Sequence, residues 1–307
     1  MPVPVEVPAA LAASHAMYSG DAGRAWIERL PGLAADLLDR WSLRPDGAPG
    51  YGAVALVLPV RQPDGVPAVL KLQPVDDETV GEPVALRAWD GRGAVRLLRH
   101  DPDSGSLLLE RLDAGRTLAS VPDDMAALRT LSELLAGLTA VAAPAGIRRL
   151  ADVATDLLGR VPPALDRTPD PGLLRRCADA VAEVLPESGD RLLHWDLHYD
   201  NILAAPDGGR QPWLAIDPKP LAGDPAFELL AALHNRWEDV TATGDVPRAV
   251  RRRFDLMTEV LGLDRGRAVR WTLGRVLQNL IWQAESTETR WSSEPDEAIA
   301  QAILSEL

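Results

Sequence analysis

The sequence of 307 residues predicts an α+β protein of two lobes, a small β-rich N-terminal lobe and a larger, mostly helical C-terminal lobe. Three observations carry that expectation. Apolar runs of strand length crowd the first third of the chain, helical periodicity fills the chain beyond Leu112, and the length is about that of two domains. A hydrophobic fraction of 46% can bury a core in each lobe. The expected division gives residues 1–112 to the first lobe, with an N-terminal helix and a five-stranded sheet, and residues 113–307 to the second.

The N-terminal lobe is read first. Over residues 21–41, Trp26, Ile27, Leu30, Leu33, Leu37, Leu38 and Trp41 recur at helical spacing, which predicts an amphipathic helix. Residues 53–60 and 66–72 are apolar and flank Gln62-Pro63-Asp64-Gly65, so they read as an antiparallel hairpin. Residues 79–89 read as a helix carrying Glu82, and residues 95–98 and 107–110 as two further strands. Past Leu112, residues 125–141, 150–158 and 173–185 are helical by periodicity; the last encloses Cys177, the single cysteine, read as a small core residue. A second apolar hairpin, residues 202–204 and 213–216, turns through Pro206-Asp207-Gly208-Gly209, and residues 227–237, 247–261 and 265–284 read as helices.

Charge narrows the function. A net charge of -13 argues against nucleic acid as a partner, because phosphate backbones are bound by clustered Lys and Arg. It suits a cationic small molecule near an acidic cleft. No apolar run approaches the roughly 20 residues of a membrane span, and the N-terminus has neither the basic start nor the apolar core of a secretory signal. A cytoplasmic, reducing setting and a monomer are expected. Of 32 basic residues only Lys71 and Lys219 are lysines, leaving thirty arginines. The scarcity reads as a nucleotide-composition bias. The two exceptions stand where a compact ammonium does what a guanidinium fork does not.

The densest chemistry lies in His194-Trp195-Asp196-Leu197-His198-Tyr199-Asp200-Asn201, an H-x-D-x-x-x-x-N loop with Asp217 one hairpin later. Kinases use this layout to place a base and two metal ligands around a nucleoside triphosphate. Asp196 is suited to accept the proton of an attacking hydroxyl. Asn201 and Asp217 offer hard oxygens to Mg²⁺. Lys71 on a strand, with Glu82 on the next helix, repeats the pair that holds phosphates in a kinase small lobe. Glu78 is a rival partner for Lys71, since one sequence does not fix helix register. His194, Asp196 and His198 also allow a zinc site, the weaker reading because His15, His100 and His234 show no ligand spacing.

With Leu70-Lys71-Leu72, residues 86–98, Leu108-Leu109-Glu110-Arg111-Leu112, the 194–203 loop and Ile216-Asp217-Pro218-Lys219-Pro220 running on to Phe227, the chain resembles the aminoglycoside and hydroxyurea antibiotic-resistance kinases. Within them it is most similar to the streptomycin 6-phosphotransferases, from about residue 21 to 285. The resemblance implies a bilobal protein-kinase-like fold, ATP with Mg²⁺, and transfer of the γ-phosphate to a hydroxyl of a cationic antibiotic. It makes Asp196 the catalytic aspartate, Asn201 and Asp217 the metal ligands, Lys71 and Glu82 the phosphate-binding pair, and Glu110, Arg111 and Leu112 the hinge against which adenine stacks.

Departures are visible as well. Residues 48–52 are not a G-x-G-x-x-G loop, Lys219 could either brace the loop after Asp217 or approach phosphate, and Asp224 is read as bracing the catalytic loop. For the acceptor, Asn235, Trp237 and Glu238, together with Asn279, Trp282 and Glu285, could line a polar, acidic and aromatic pocket; ordinary helix packing is the alternative for each. The expected activity is streptomycin 6-O-phosphorylation. Phosphorylation of an amino sugar, a sugar or hydroxyurea by the same fold is the alternative, and a non-catalytic binding module a third.

Overall fold

The computed structural model describes residues 5–206, 208–286 and 293–304. The chain opens with two helices, α1 (Ala9–Tyr18) and α2 (Gly20–Arg40), of which the sequence announced only the second. The strands β1 (Arg44–Pro45), β2 (Gly50–Tyr51), β3 (Leu56–Arg61) and β4 (Pro67–Leu72) lead to helix α3 (Glu82–Trp89), then β5 (Leu97–Asp101) and β6 (Ser106–Glu110). They form one antiparallel sheet in the order β1-β3-β4-β6-β5, with β2 beside β3. Six strands stand where five were expected. The two-residue strands β1 and β2 are too short to show any alternation.

Alternation in β4 decides what each face does, since successive side chains of a strand point to opposite sides. Ala68, Leu70 and Leu72 join Leu56, Leu58 and Val60 in a core closed by Leu30, Ala34 and Leu37 of α2. Val69 and Lys71 face the other way, into a cleft. One face of the sheet is thus structural, and the other is free for chemistry.

Beyond β7 (Asp113–Thr117) come helices α4 (Asp124–Thr139), α5 (Leu150–Leu165) and α6 (Pro171–Val184), strand β8 (Arg191–Leu193), the hairpin β9 (Ile202–Ala204) and β10 (Trp213–Ala215), and β11 (Leu221–Gly223). Strands β10-β9-β7 form a small sheet under the cleft, and β11 pairs with β8. The first half of the strand expected at 95–98 bonds to this lower part instead: Val95 N–H donates to the Ala215 carbonyl, 2.8 Å. Asp207, in the turn of this hairpin, lies outside the described residues.

The last helices are α7 (Leu229–Leu233), α8 (Trp237–Ala242), α9 (Val246–Leu261), α10 (Arg265–Glu285) and α11 (Glu294–Leu304). The single helix expected over 227–237 is broken. Arg236 is left-handed at φ 48°, and the buried Arg253 guanidinium donates to the Asn235 carbonyl at 2.6 Å, a carbonyl that a continuous helix would use for itself. Helix α10 is buried along most of its length, where Trp271 meets Phe227 edge to face at 5.8 Å. No helix among the described residues is long and apolar enough to cross a membrane.

Candidate active site

At the mouth of the cleft, Lys71 Nζ donates to both carboxylate oxygens of Glu82, each at 2.8 Å, and to Asp217 Oδ1. Glu82 opens α3 and is nearly inaccessible; Gln73 Nε2 donates to it as well, 2.5 Å. Burial pulls the Lys71 ammonium down, but Asp217 and Glu82 outweigh it and hold it above the ordinary lysine range. Lys71 keeps Asp217 below the usual carboxylate range. The rivalry between the two glutamates ends with both in use. Glu82 takes Lys71, while Glu78, on the loop before α3, faces Lys219 at 3.5 Å.

The 194–201 loop is stitched to the segment that carries Asp217 by three hydrogen bonds. Ile216 N–H donates to the Asn201 carbonyl at 2.9 Å, Lys219 N–H to the His194 carbonyl at 3.0 Å, and His194 Nε2 to the Ile216 carbonyl at 2.9 Å. His194 is fully buried, and burial lowers its pKa to about 4, so the ring is neutral and serves as a brace. Its Nδ1 faces the Asp196 N–H at 3.4 Å. Both ring nitrogens are engaged, Nε2 with Ile216 and Nδ1 with Asp196, and the zinc site considered for His194, Asp196 and His198 is not assembled among the described residues. Trp195 and Asp217 both have positive φ, 67° and 61°, a conformation that non-glycine residues hold only where surroundings enforce it.

Part of that enforcement comes from a residue that sequence reasoning missed. Glu228, buried in the apolar run before α7, accepts His194 N–H at 2.5 Å and Trp195 N–H at 2.9 and 3.0 Å. Burial pushes its carboxyl up to about 7. Asp224, expected to brace the loop, acts one step back: it caps the turn that carries Glu228 by accepting from Ala226 N–H, 2.9 Å, and pairs with Arg267. The Trp195 ring lies near two guanidiniums, Arg148 at 4.8 Å and Arg275 at 5.2 Å.

Two cavities meet at this loop. The first, about 440 Å³, lies between the sheet and the β9–β10 hairpin and is lined by Lys71, Asn201 and Asp217 together with apolar Val57, Val69, Leu109, Leu112, Leu203 and Ile216. Glu110 and Leu112 both reach it. The Glu110 carboxylate is bound by Arg210 at 2.5 and 2.7 Å, and Arg111 turns away to Asp46 at 2.6 Å, so neither side chain of this pair is free for a ligand. The β6 ladder to β4 ends at Glu110, which leaves the backbone of Arg111 and Leu112 outside the sheet. Asn201 spends its Nδ2 on the Asp196 carbonyl at 2.9 Å, so Oδ1 is the atom left for a cation. Asn201 and Asp217 supply hard oxygens at the same wall, a donor set that fits Mg²⁺.

The second cavity, about 540 Å³, opens on the other side of Asp196. Asn235, Asn279 and Trp282 line it, as expected; Trp237, Glu238 and Glu285 do not. Trp237 packs against the helical core, because the break at Arg236 turns it away. Glu238, one residue further along α8, is exposed. Glu285 pairs with Arg160 on the surface. On a helix of about 100° per residue Glu285 falls roughly 120° from Asn279, whereas Trp282 shares its face. The fixed acid beside this pocket is Asp296 of α11, a helix not read from the sequence: it accepts from Asn279 Nδ2 at 3.1 Å and pairs with His234 at 3.0 Å. Glu78, Lys219 and Arg275 complete the wall.

The family model of the aminoglycoside/hydroxyurea antibiotic resistance kinases matches residues 40–287. Streptomycin 6-kinase of Streptomyces glaucescens is 57% identical over 92% of this chain and 92% of its own length. Hydroxyurea phosphotransferase of Kitasatospora aureofaciens is 54% identical over 98% of this chain and 86% of its own. Among solved structures, ethanolamine kinase of Plasmodium vivax covers 99% of this chain and 97% of that chain with a TM-score of 0.56 at 11% identity, a likeness of fold alone.

Proposed function

The chain belongs to the aminoglycoside/hydroxyurea antibiotic resistance kinase family, and from that premise we propose that it is an ATP-dependent small-molecule kinase that phosphorylates the 6-hydroxyl of streptomycin. The observation that carries this reading is the meeting of two cavities along one loop, where Asp200 lines both. Asp196 borders the pocket of Asn235, Asn279 and Trp282, and its loop carries Asn201 into the cleft of Lys71 and Asp217.

In this reading, adenine lies among Val57, Leu112 and Leu203, with the backbone of residues 111 and 112 available to its edge, and the lobes divide near Leu112. Lys71, held by Glu82, meets the phosphates. Asn201 and Asp217 would hold Mg²⁺, which neutralises charge on the phosphate oxygens when bound. Asp196 accepts the proton of the acceptor hydroxyl, and the loop that carries it is held by His194 and Glu228, so little reorganisation is left for the chemical step. Dependence on ATP fits action in the cytoplasm, and we take the working unit to be a monomer.

The choice of acceptor turns on the second cavity. The two relatives at 57% and 54% identity act on different molecules, so identity alone does not decide. A volume of about 540 Å³ suits an aminoglycoside, and a molecule the size of hydroxyurea would leave most of it to water. Glu78 and Asp200 on the cavity wall offer carboxylates to the cationic groups of an aminoglycoside. The test is an acceptor panel of streptomycin, hydroxyurea and simple amino sugars, with ATP and Mg²⁺, read by mass spectrometry and NMR. Streptomycin is expected to gain one phosphate on O6, with turnover lost in EDTA and restored by Mg²⁺ but not Zn²⁺. Phosphorylated hydroxyurea or amino sugar with unmodified streptomycin overturns the assignment.

A further inference from the structure

We propose that Lys219 is a second phosphate-contacting cation, which holds the γ-phosphoryl group from the acceptor side while it passes to the hydroxyl at Asp196. The proposal rests on the reading of the chain as an ATP-dependent kinase.

Lys71 alone leaves that side of the group uncovered. An ammonium has three protons, and those of Lys71 are met by two oxygens of Glu82 and one of Asp217. Its side chain is buried at the mouth of the nucleotide cleft and does not line the acceptor pocket. Lys219 does line that pocket, with Nζ at 3.3 Å from Asp196 Oδ2 and 3.5 Å from Glu78 Oε2. Tight charge-assisted bonds run to about 2.7–2.9 Å, so this ammonium is held loosely between two carboxylates and can turn toward a third anion.

Its backbone is better fixed than its head. Lys219 stands between Pro218 and Pro220, and its N–H is bonded to the His194 carbonyl at 3.0 Å. Gly81, on the loop that carries Glu78, lies so close to Pro220 that a Cβ there would come within 2.9 Å of its ring. The stem is anchored while the charge can swing, which suits a point charge following a moving phosphoryl group. In the transfer, the acceptor O–H gives its proton to Asp196, the oxygen–phosphorus bond forms, and the bond from γ-phosphorus to the bridging oxygen breaks, its electron pair leaving with ADP. Negative charge spreads over the three equatorial oxygens. Lys219 also screens those oxygens from the Asp196 carboxylate, which would otherwise repel them at close range.

Binding and turnover test this separately from acceptor identity. Lys219→Gln is expected to weaken AMP-PNP about tenfold by calorimetry with Mg²⁺ present while leaving ADP within about twofold, and to lower kcat about 100-fold while raising KM for ATP about tenfold. Lys219→Arg should not restore kcat, because the fork lacks a mobile point charge. Glu78→Gln, which releases Lys219 from the N-terminal lobe, should leave the AMP-PNP affinity near that of the unaltered protein. Unchanged AMP-PNP binding in Lys219→Gln overturns the proposal, as does an equal loss in Glu78→Gln, which would make the bridge between lobes the working part. If the unaltered protein binds neither nucleotide, the kinase reading itself has failed. If it binds both but leaves streptomycin unmodified, only the acceptor assignment has.

Discussion

In the cleft proposed for the nucleotide, the Lys71 and Glu82 side chains are 6% and 1% exposed; across Asp196, the pocket proposed for the acceptor is walled by Trp282 at 43% exposure and a half-open Lys219. The first wall is set before any ligand arrives. Removing one partner of a buried ion pair costs about 3–5 kcal/mol, which keeps Lys71 and Glu82 in one arrangement. The second wall is made of side chains that water already reaches, so exchanging one costs the fold little. On the proposed assignment, chemistry and substrate choice fall to parts of unequal rigidity, and close relatives of this chain bear names with different acceptors.

Three changes probe that contrast. Asp196→Asn strikes the loop along which the two cavities meet, and kcat should fall about 1000-fold with nucleotide affinity intact by calorimetry; a loss under about tenfold would mean that another group takes the proton. Asn279→Ala strikes the open wall alone. The acceptor KM should rise about tenfold, with KM for ATP unmoved, because a hydrogen bond to a charged group is worth about 1.5–3 kcal/mol; parallel changes in both constants would show that the cavities do not act separately.

The smallest effect concerns the brace. Burial raises the Glu228 carboxyl from 4.5 to about 7, so its contribution to stability is full below about pH 4.5 and is lost as pH rises through 7. Glu228→Gln carries no such dependence. Its Tm relative to the unaltered protein should climb by roughly 4 °C between about pH 5 and pH 8, read by scanning calorimetry, and a flat difference would remove Glu228 from the account.

The rigid half was the legible one. Asp196 and Asn201 lie within one short loop, Asp217 comes one hairpin later, and Lys71 sits on a strand whose alternation can be counted, so local pattern and spatial position coincide. Glu78 and Glu82 were not separable because four residues bring a helix back to nearly the same face, and here the first falls before the helix begins. The open half is assembled from α3's approach loop, α7, α10 and α11, which no spacing in the sequence ties together. Trp237 and Glu238 were placed in the pocket because the helix break at Arg236 was not visible in the sequence, and Asp296 was missed because its helix was not read. Glu228 had left a signal: an acid leading into Leu229-Leu230-Ala231-Ala232-Leu233 is an acid with a buried task.

A chain with thirty arginines and two lysines has one more property. Both ε-amines stand at the site, 6% and 40% exposed, so an amine-selective reagent finds no lysine elsewhere to spend itself on. Lys219 is the more accessible of the two. The protein thus brings its own attachment point for a reporter group at the junction of its two cavities, with no residue to engineer in or out.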